Sequence, residues 1–156
     1  MTEFTHVDAA GAARMVDVSQ KDISVRQATA TGRVRTTPEV VALLRGGGVP
    51  KGDALAVARI AAIAAAKRTP DLVLLCHPIA IHGVTIDLEV TDDGVQIQAV
   101  VRTADRTGVE MEALTCVSVA GLNLIDMIKA VDPAAIITDI QVEEKLGGKT
   151  GKWTRA

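Results

Sequence analysis

The sequence predicts an α+β fold, a mostly antiparallel sheet with helices packed on one face. Three observations carry this. Residues 84–90 and 95–101 alternate cleanly between apolar and polar and flank Asp92-Asp93-Gly94, a hairpin signal. A β-branched, alternating run at 23–35 precedes two stretches that begin with helix-start chemistry. A long apolar stretch at 108–132 then separates the hairpin from a last strand at 136–143. Strand, two helices, hairpin, helix and strand in that order come close to a ferredoxin-like arrangement.

Taken in order, residues 1–22 form an extended polar arm without period. The first strand follows at 23–35. Thr37-Pro38-Glu39 supplies a hydroxyl cap, a proline for the first turn and an acid at the positive helix end. That helix stops at Gly46-Gly47-Gly48. Asp53 caps a second, alanine-rich helix that runs to about Arg68. After Pro70, residues 72–75 read as a short apolar strand. The hairpin, the long helix and the closing strand complete the order, and 145–156 form a flexible C-terminal segment. There is no linker and no internal repeat. One domain over residues 1–156 is expected, large enough to bury roughly two thirds of its unfolded surface.

Composition excludes several functions. Hydrophobic residues make up 48% of the chain, yet there is one Phe, one Trp and no Tyr, and the formal charge is −2. A nucleic-acid binder would show stacking aromatics or a basic surface, and neither is present. Cys76 and Cys116 share no CxxC spacing and sit among apolar residues, as reduced buried thiols do. The N-terminus lacks a signal-peptide pattern, and no apolar run approaches the roughly 20 residues that span a membrane. A cytoplasmic protein without membrane contact is expected.

The long helix carries charges that need a reason. At about 100° per residue, Leu114, Val117, Gly121, Leu124, Ile125 and Ile128 form the stripe that packs on the sheet. Glu112, Asn123 and Asp126 fall opposite, with Lys129 at one flank. That face also carries Cys116, Val119 and Ala130, too apolar for plain solvent, so something should cover it. Asp126 and Lys129 are one turn apart, suited to a pair in which each tunes the other. Glu112 and Asp126 lie about 21 Å apart along the axis at 1.5 Å per residue. Either the ligand is long, or a second subunit completes the site.

Two further groups stand out. His77, in Leu75-Cys76-His77-Pro78, emerges from an apolar run. A satisfied structural histidine and a polar ligand contact both stay open, and a metal site fits poorly because the spacing matches no usual zinc pattern. The glycines before Lys51 and Asp53 lead into a helix N-terminus, a natural anion site, although the order of a Walker A loop is absent. The segment 145–152, with Lys145 and Lys149 among glycines, is either a frayed basic tail or a loop that closes over phosphate. Lys21, Arg26 and Lys67 can join such a positive pocket.

THVDAAGAARMVDVSQKDISVRQATATGRV, KGDALAVARIAAIAAAK, LLCHPIAIHGV, RTGVEMEALTCVSVAGLNLIDMIKAVD and KLGGKTG lie in order across nearly the whole chain. With them the sequence resembles the molybdenum cofactor biosynthesis protein C family of cyclic pyranopterin monophosphate synthases. It departs at Ala62, where the family often has Gly, and at Ile125, where an aromatic is frequent. The resemblance implies an enzyme, a phosphorus-oxygen lyase. It rearranges 3′,8-cyclo-7,8-dihydroguanosine 5′-triphosphate to cyclic pyranopterin monophosphate and releases diphosphate.

By match to the family motif, Asp126 is the catalytic residue, with Lys51 and Lys129 assigned to proton transfer or leaving-group stabilisation. Leu75, Cys76, His77, Glu110, Met111 and Glu112 fall in substrate-binding segments. Arg26, Lys67, Lys145 and Lys149 are weaker candidates for phosphate contacts. No resident metal or cofactor is expected, though Mg²⁺ can accompany the triphosphate. The family is a hexamer built from dimers with sites between subunits, which agrees with the 21 Å separation. The competing expectation is a non-catalytic ferredoxin-like module that binds a small anionic metabolite.

Overall fold

The computed structural model describes residues 4–156. Nine elements follow the arm: β1 (Ser24–Arg35), α1 (Pro38–Gly46), α2 (Ala54–Ala66), α3 (Thr69–Leu72), β2 (Gly83–Thr91), β3 (Gly94–Asp105), α4 (Glu110–Ile128), β4 (Ile136–Leu146) and β5 (Trp153–Thr154). The strands form one sheet in the order β2-β3-β1-β4-β5, and every neighbouring pair is antiparallel. Helices in the connections β1–β2 and β3–β4, with order 2-3-1-4, give the ferredoxin-like arrangement that the sequence predicts.

Local chemistry sets the helix ends. Thr37 accepts from the Val40 N–H at 3.3 Å, Pro38 opens α1, and Gly47 closes it in the left-handed region at φ 70°. Asp53 accepts from the Ala56 N–H at 3.0 Å and starts α2. The 72–75 stretch is not a strand. Pro70 at the first turn and Thr69, whose hydroxyl donates to Ala65 and Ala66 carbonyls, extend the helical path into α3. Short apolar runs suit a helix end as well as a strand, and periodicity cannot separate them.

The core lies between the sheet and α2 and α4. α4 crosses β1, β3 and β4, and α2 packs against α4 and β2. Ala54, Ala58, Ala62 and Ala66 of α2 are buried at intervals of four, a smooth face that lets the helices approach closely. On β1, Ala28, Ala30, Gly32 and Val34 point inward. A Cβ at Gly32 would stand 2.5 Å from Val117 Cγ1 and 3.2 Å from Ile140 Cγ1, so α4 rests on β1 at a distance only glycine allows. Opposite, the β1–β4 register slips between Thr31 and Arg33, and Asp139 takes φ 56°, an αL position that Asp tolerates.

α4 is 19 residues long and, by length and composition alone, apolar enough to cross a membrane, which the sequence count did not expect. Its place is the core of this fold. Val117, Gly121, Leu124 and Ile128 are buried on the sheet side as the wheel predicts. The other face departs from expectation. Glu112 and Cys116 are buried as well, because α2 of the same chain lies over them, with Ala66 beside Cys116. Asp126 and Lys129, past the reach of α2, stay exposed.

Glu112 is thus a carboxyl in the core, 1% exposed. Its Oε1 accepts from the Cys76 thiol at 3.6 Å, and its buried Oε2 has no partner among the described residues. Burial is the first cause that raises its pKa above the ordinary value.

Gly32→Ala should destabilise the fold by about 1–3 kcal/mol through overpacking against Val117, and Val117→Ala in the same chain should recover part of the loss. Thermal unfolding of the single and double variants reads this as roughly 2–4 °C per kcal/mol. An unchanged midpoint for Gly32→Ala would disprove the close contact.

Glu112 also gives the stability a pH dependence. A carboxyl whose folded pKa lies above its unfolded value of about 4.3 costs stability once pH rises past the unfolded value. That cost is relieved as pH falls and the folded carboxyl takes a proton. Glu112→Gln should therefore raise the unfolding midpoint at neutral pH, with the gain shrinking to nothing near pH ~4. A gain that grows with falling pH would contradict the assignment.

Candidate active site

Chemistry-bearing residues gather at the two ends of α4. At its N-terminal end a cavity of about 1030 Å³ opens between the arm, the 73–77 segment, the first turn of α4 and β4–β5. Leu75, Cys76, His77, Glu110, Met111 and Lys145 line it, as does Lys21 from the arm. The arm is drawn across by a few bonds. The His77 Nε2 lies 2.5 Å from the Val16 carbonyl, and Arg106 Nε donates to the Lys21 carbonyl at 3.0 Å.

The groups around this cavity are coupled. Lys145 Nζ sits 2.8 Å from Glu110 Oε1, both partly buried. The Glu110 carboxylate folds back over Gly108, where a Cβ would lie 2.1 Å from Oε2. The Cys76 thiol is pushed up to about 11 by burial first and then by the Glu112 charge, so it stays protonated at neutral pH. Cys116, deeper, is pushed up to about 12, again by burial first. Neither thiol is a ready nucleophile. Glu112 stands behind Cys76 and reaches the cavity through it.

Arg26 joins from β1. Its Nε donates to the Asp105 carbonyl at 3.1 Å, and its guanidinium runs beneath the 147–148 turn, 2.4 Å from where a Gly148 Cβ would be. The glycines before Lys149 therefore let the chain pass directly over a cation. Gly147 and Gly148 both take positive φ, 87° and 79°, which fits that turn.

The second group lies at the far end of α4. Asp126 Oδ1 receives Lys129 Nζ at 2.7 Å and Lys51 Nζ at 3.2 Å. All three side chains are exposed. The hydrogen bond from Lys129, then that from Lys51, holds the Asp126 carboxyl below the ordinary range. A carboxylate held ionised in this way takes up protons poorly near neutral pH. What it does well is fix two ammonium groups side by side, each able to give a proton or neutralise an anion. Lys51 and Asp126 meet within one chain.

The two groups do not meet within that chain. Glu110 and Asp126 are 16 positions apart on one helix, about 24 Å at 1.5 Å per residue. Of the remaining sequence-predicted residues, Lys67 is the exposed C-cap of α2, outside both groups, and Lys149 is exposed beyond the Arg26 turn. Among the described residues no group of three or more His, Cys, Asp or Glu side chains is placed to hold a metal ion. Nothing in the local sequence signals that His6, Val16, Val18 and Trp153 line the cavity. Apolar arm residues without period and a lone tryptophan in a basic tail carry no signal until the ends of the chain fold over the helix.

The model of the MoaC family matches residues 15–148. The chain is 67% identical over 153 residues to a protein of Streptomyces coelicolor named cyclic pyranopterin monophosphate synthase, covering 98% of this chain and 90% of that one. It is 58% identical over 153 residues to cyclic pyranopterin monophosphate synthase 2 of Mycobacterium tuberculosis, with 98% and 92% covered. A cyclic pyranopterin monophosphate synthase of Dinoroseobacter shibae is 54% identical over 155 residues, with 98% of each covered. At such identity and coverage, across both ends of α4, the chain belongs to the MoaC family.

Proposed function

We propose that the chain is a cyclic pyranopterin monophosphate synthase of molybdenum cofactor biosynthesis, acting as a phosphorus-oxygen lyase. Its substrate is 3′,8-cyclo-7,8-dihydroguanosine 5′-triphosphate, and its products are cyclic pyranopterin monophosphate and diphosphate. The observation that carries this is Asp126, which holds Lys51 and Lys129 on a single carboxylate oxygen. A hydroxyl that attacks the α-phosphorus must lose its proton, and the departing diphosphate gains charge as its bond breaks. Two adjacent lysines meet both needs, one as proton carrier and one as counter-charge. Lys21, Arg26, Lys145 and Lys149 supply the further cations that a triphosphate requires.

The site is then completed between two subunits. Cys76, His77, Glu110 and Lys145 of one chain hold the substrate, and Lys51, Asp126 and Lys129 of another act on it. The separation of about 24 Å along one α4 supports this, since no single phosphoryl centre can touch both ends. A two-fold contact brings the opposite ends of two such helices together. The homo-oligomer, a hexamer built from dimers, supplies that contact.

Incubation with the cyclised GTP substrate should release diphosphate, and Lys51→Ala should lower kcat by about 10²–10⁴ with KM nearly kept, as expected for a lost proton-transfer group. A raised KM with kcat kept would make Lys51 an anchor. No diphosphate under any condition would favour a metabolite-binding module without chemistry.

Complementation tests the shared site. Asp126→Ala chains and His77→Ala chains, each inactive alone, are mixed and allowed to exchange subunits. Mixed dimers then contain one site with both sets intact, so about a quarter of wild-type activity returns after random exchange. Mixed oligomers that form and stay inactive would place both sets in one chain's site.

A further inference from the structure

The cavity at the N-terminal end of α4 also holds the chain's one tryptophan. Trp153 sits in β5, a strand of two residues whose partners in β4 are Glu144 and Lys145. Its side is 44% exposed, so it is not a core filler. Something nevertheless fixes it. The Arg155 Cζ lies 5.7 Å from the indole centroid, a cation–π contact. Arg155 is itself tied to β4, donating from Nε to the Val142 carbonyl at 2.8 Å and standing 3.9 Å from Glu143 Oε2. A guanidinium held by its neighbours thus steadies an indole at the end of the sheet.

The surroundings say what the indole is for. Leu74, Met111 and Val142 make the adjoining wall apolar, while the Glu110–Lys145 ion pair stands in the same cavity. An apolar slot with one π-surface and a carboxylate suits a flat heteroaromatic ring with N–H donors on its edge. In a chain with no Tyr and one Phe, the only other rings lining the cavity among the described residues are the smaller imidazoles of His6 and His77, and His77 is already bonded to the Val16 carbonyl.

We propose that Trp153 is the stacking wall for the purine-derived ring of the substrate, and that Arg155 is the positioning residue that holds the indole in place. This rests on the function proposed above. It assigns the cavity's two jobs to different groups: the cations take the phosphates, and the indole takes the ring.

Because Trp153 is the sole tryptophan, its emission reports on the cavity without a label. The full chain is titrated with GTP and, separately, with inorganic triphosphate, following tryptophan emission and the heat of binding in parallel. GTP should quench the emission, and inorganic triphosphate, which has no ring, should bind and leave it unchanged. In turnover of the cyclised substrate, Trp153→Leu should raise KM about tenfold with kcat within about twofold, and Trp153→Phe should stay near wild type. Arg155→Leu should weaken the quench while the unfolding midpoint holds.

GTP that binds by heat with unchanged emission, or Trp153→Leu with an unaltered KM, overturns the stacking role and leaves the proposed function standing. If GTP does not bind but the substrate turns over, the KM of the two Trp153 variants decides. If Trp153→Leu fails to fold, the wild-type titration and Trp153→Phe decide. A wild-type chain that releases no diphosphate and binds neither GTP nor the substrate overturns the function, and the stacking role with it.

Discussion

The contact between α4 and β1 governs the rest of the molecule. Val117 occupies the space where a side chain at position 32 would be, so the helix lies directly on the strand backbone. From that seat α4 extends both ways as a rigid rod, buried in the middle and reaching the surface at each end. The alanine face of α2 fixes it from the other side. Small residues at both contacts leave little slack, and in a close-packed interior a shift at one contact is felt along the element.

This seat explains why charges interrupt an apolar helix. Those at the N-terminal end, Glu110 and Glu112, are drawn inward: one is paired with Lys145, the other buried behind Cys76. The positive end of the helix dipole favours acids in the first turn, which eases part of the cost. Those at the C-terminal end, Asp126 and Lys129, remain in water with Lys51. The same helix thereby supplies a desolvated cluster at one end and a solvated one at the other. Desolvation keeps the Cys76 thiol protonated, and opposite charges in water keep Asp126 ionised, so the ends have different chemistry.

The ends of the chain complete what the helix begins. The arm and the β4–β5 segment bring residues from both sides of the sequence over the first turn of α4; β4–β5 is paired into the sheet, whereas the arm is tied to the cavity wall by few bonds. Thin anchoring at a cavity edge, by single bonds such as the one between His77 and Val16, is what a segment that must admit a ligand requires. Arg26 beneath Gly148 belongs to the same logic, since a larger residue there would push the turn off the guanidinium.

How much of this was legible in the sequence varies with the range of the interaction that decides it. Helix caps at Thr37 and Asp53, the Asp92-Asp93-Gly94 turn, the strand alternation and the Asp126–Lys129 pair depend on neighbours within a few residues, and the sequence determined them. Of the residues the motifs single out, Leu75, Cys76, His77, Glu110, Met111 and Lys145 gather near one end of α4 and Lys51, Asp126 and Lys129 near the other. Tertiary structure alone decided that 72–75 follow a helical turn, that α2 buries Glu112 and Cys116, and that Lys51 shares the oxygen of Asp126 from 75 positions away. It also decided that Trp153 lines the cavity. A wheel records which residues share a face but not what lies against it, because burial depends on elements distant in sequence, and their approach is set by packing.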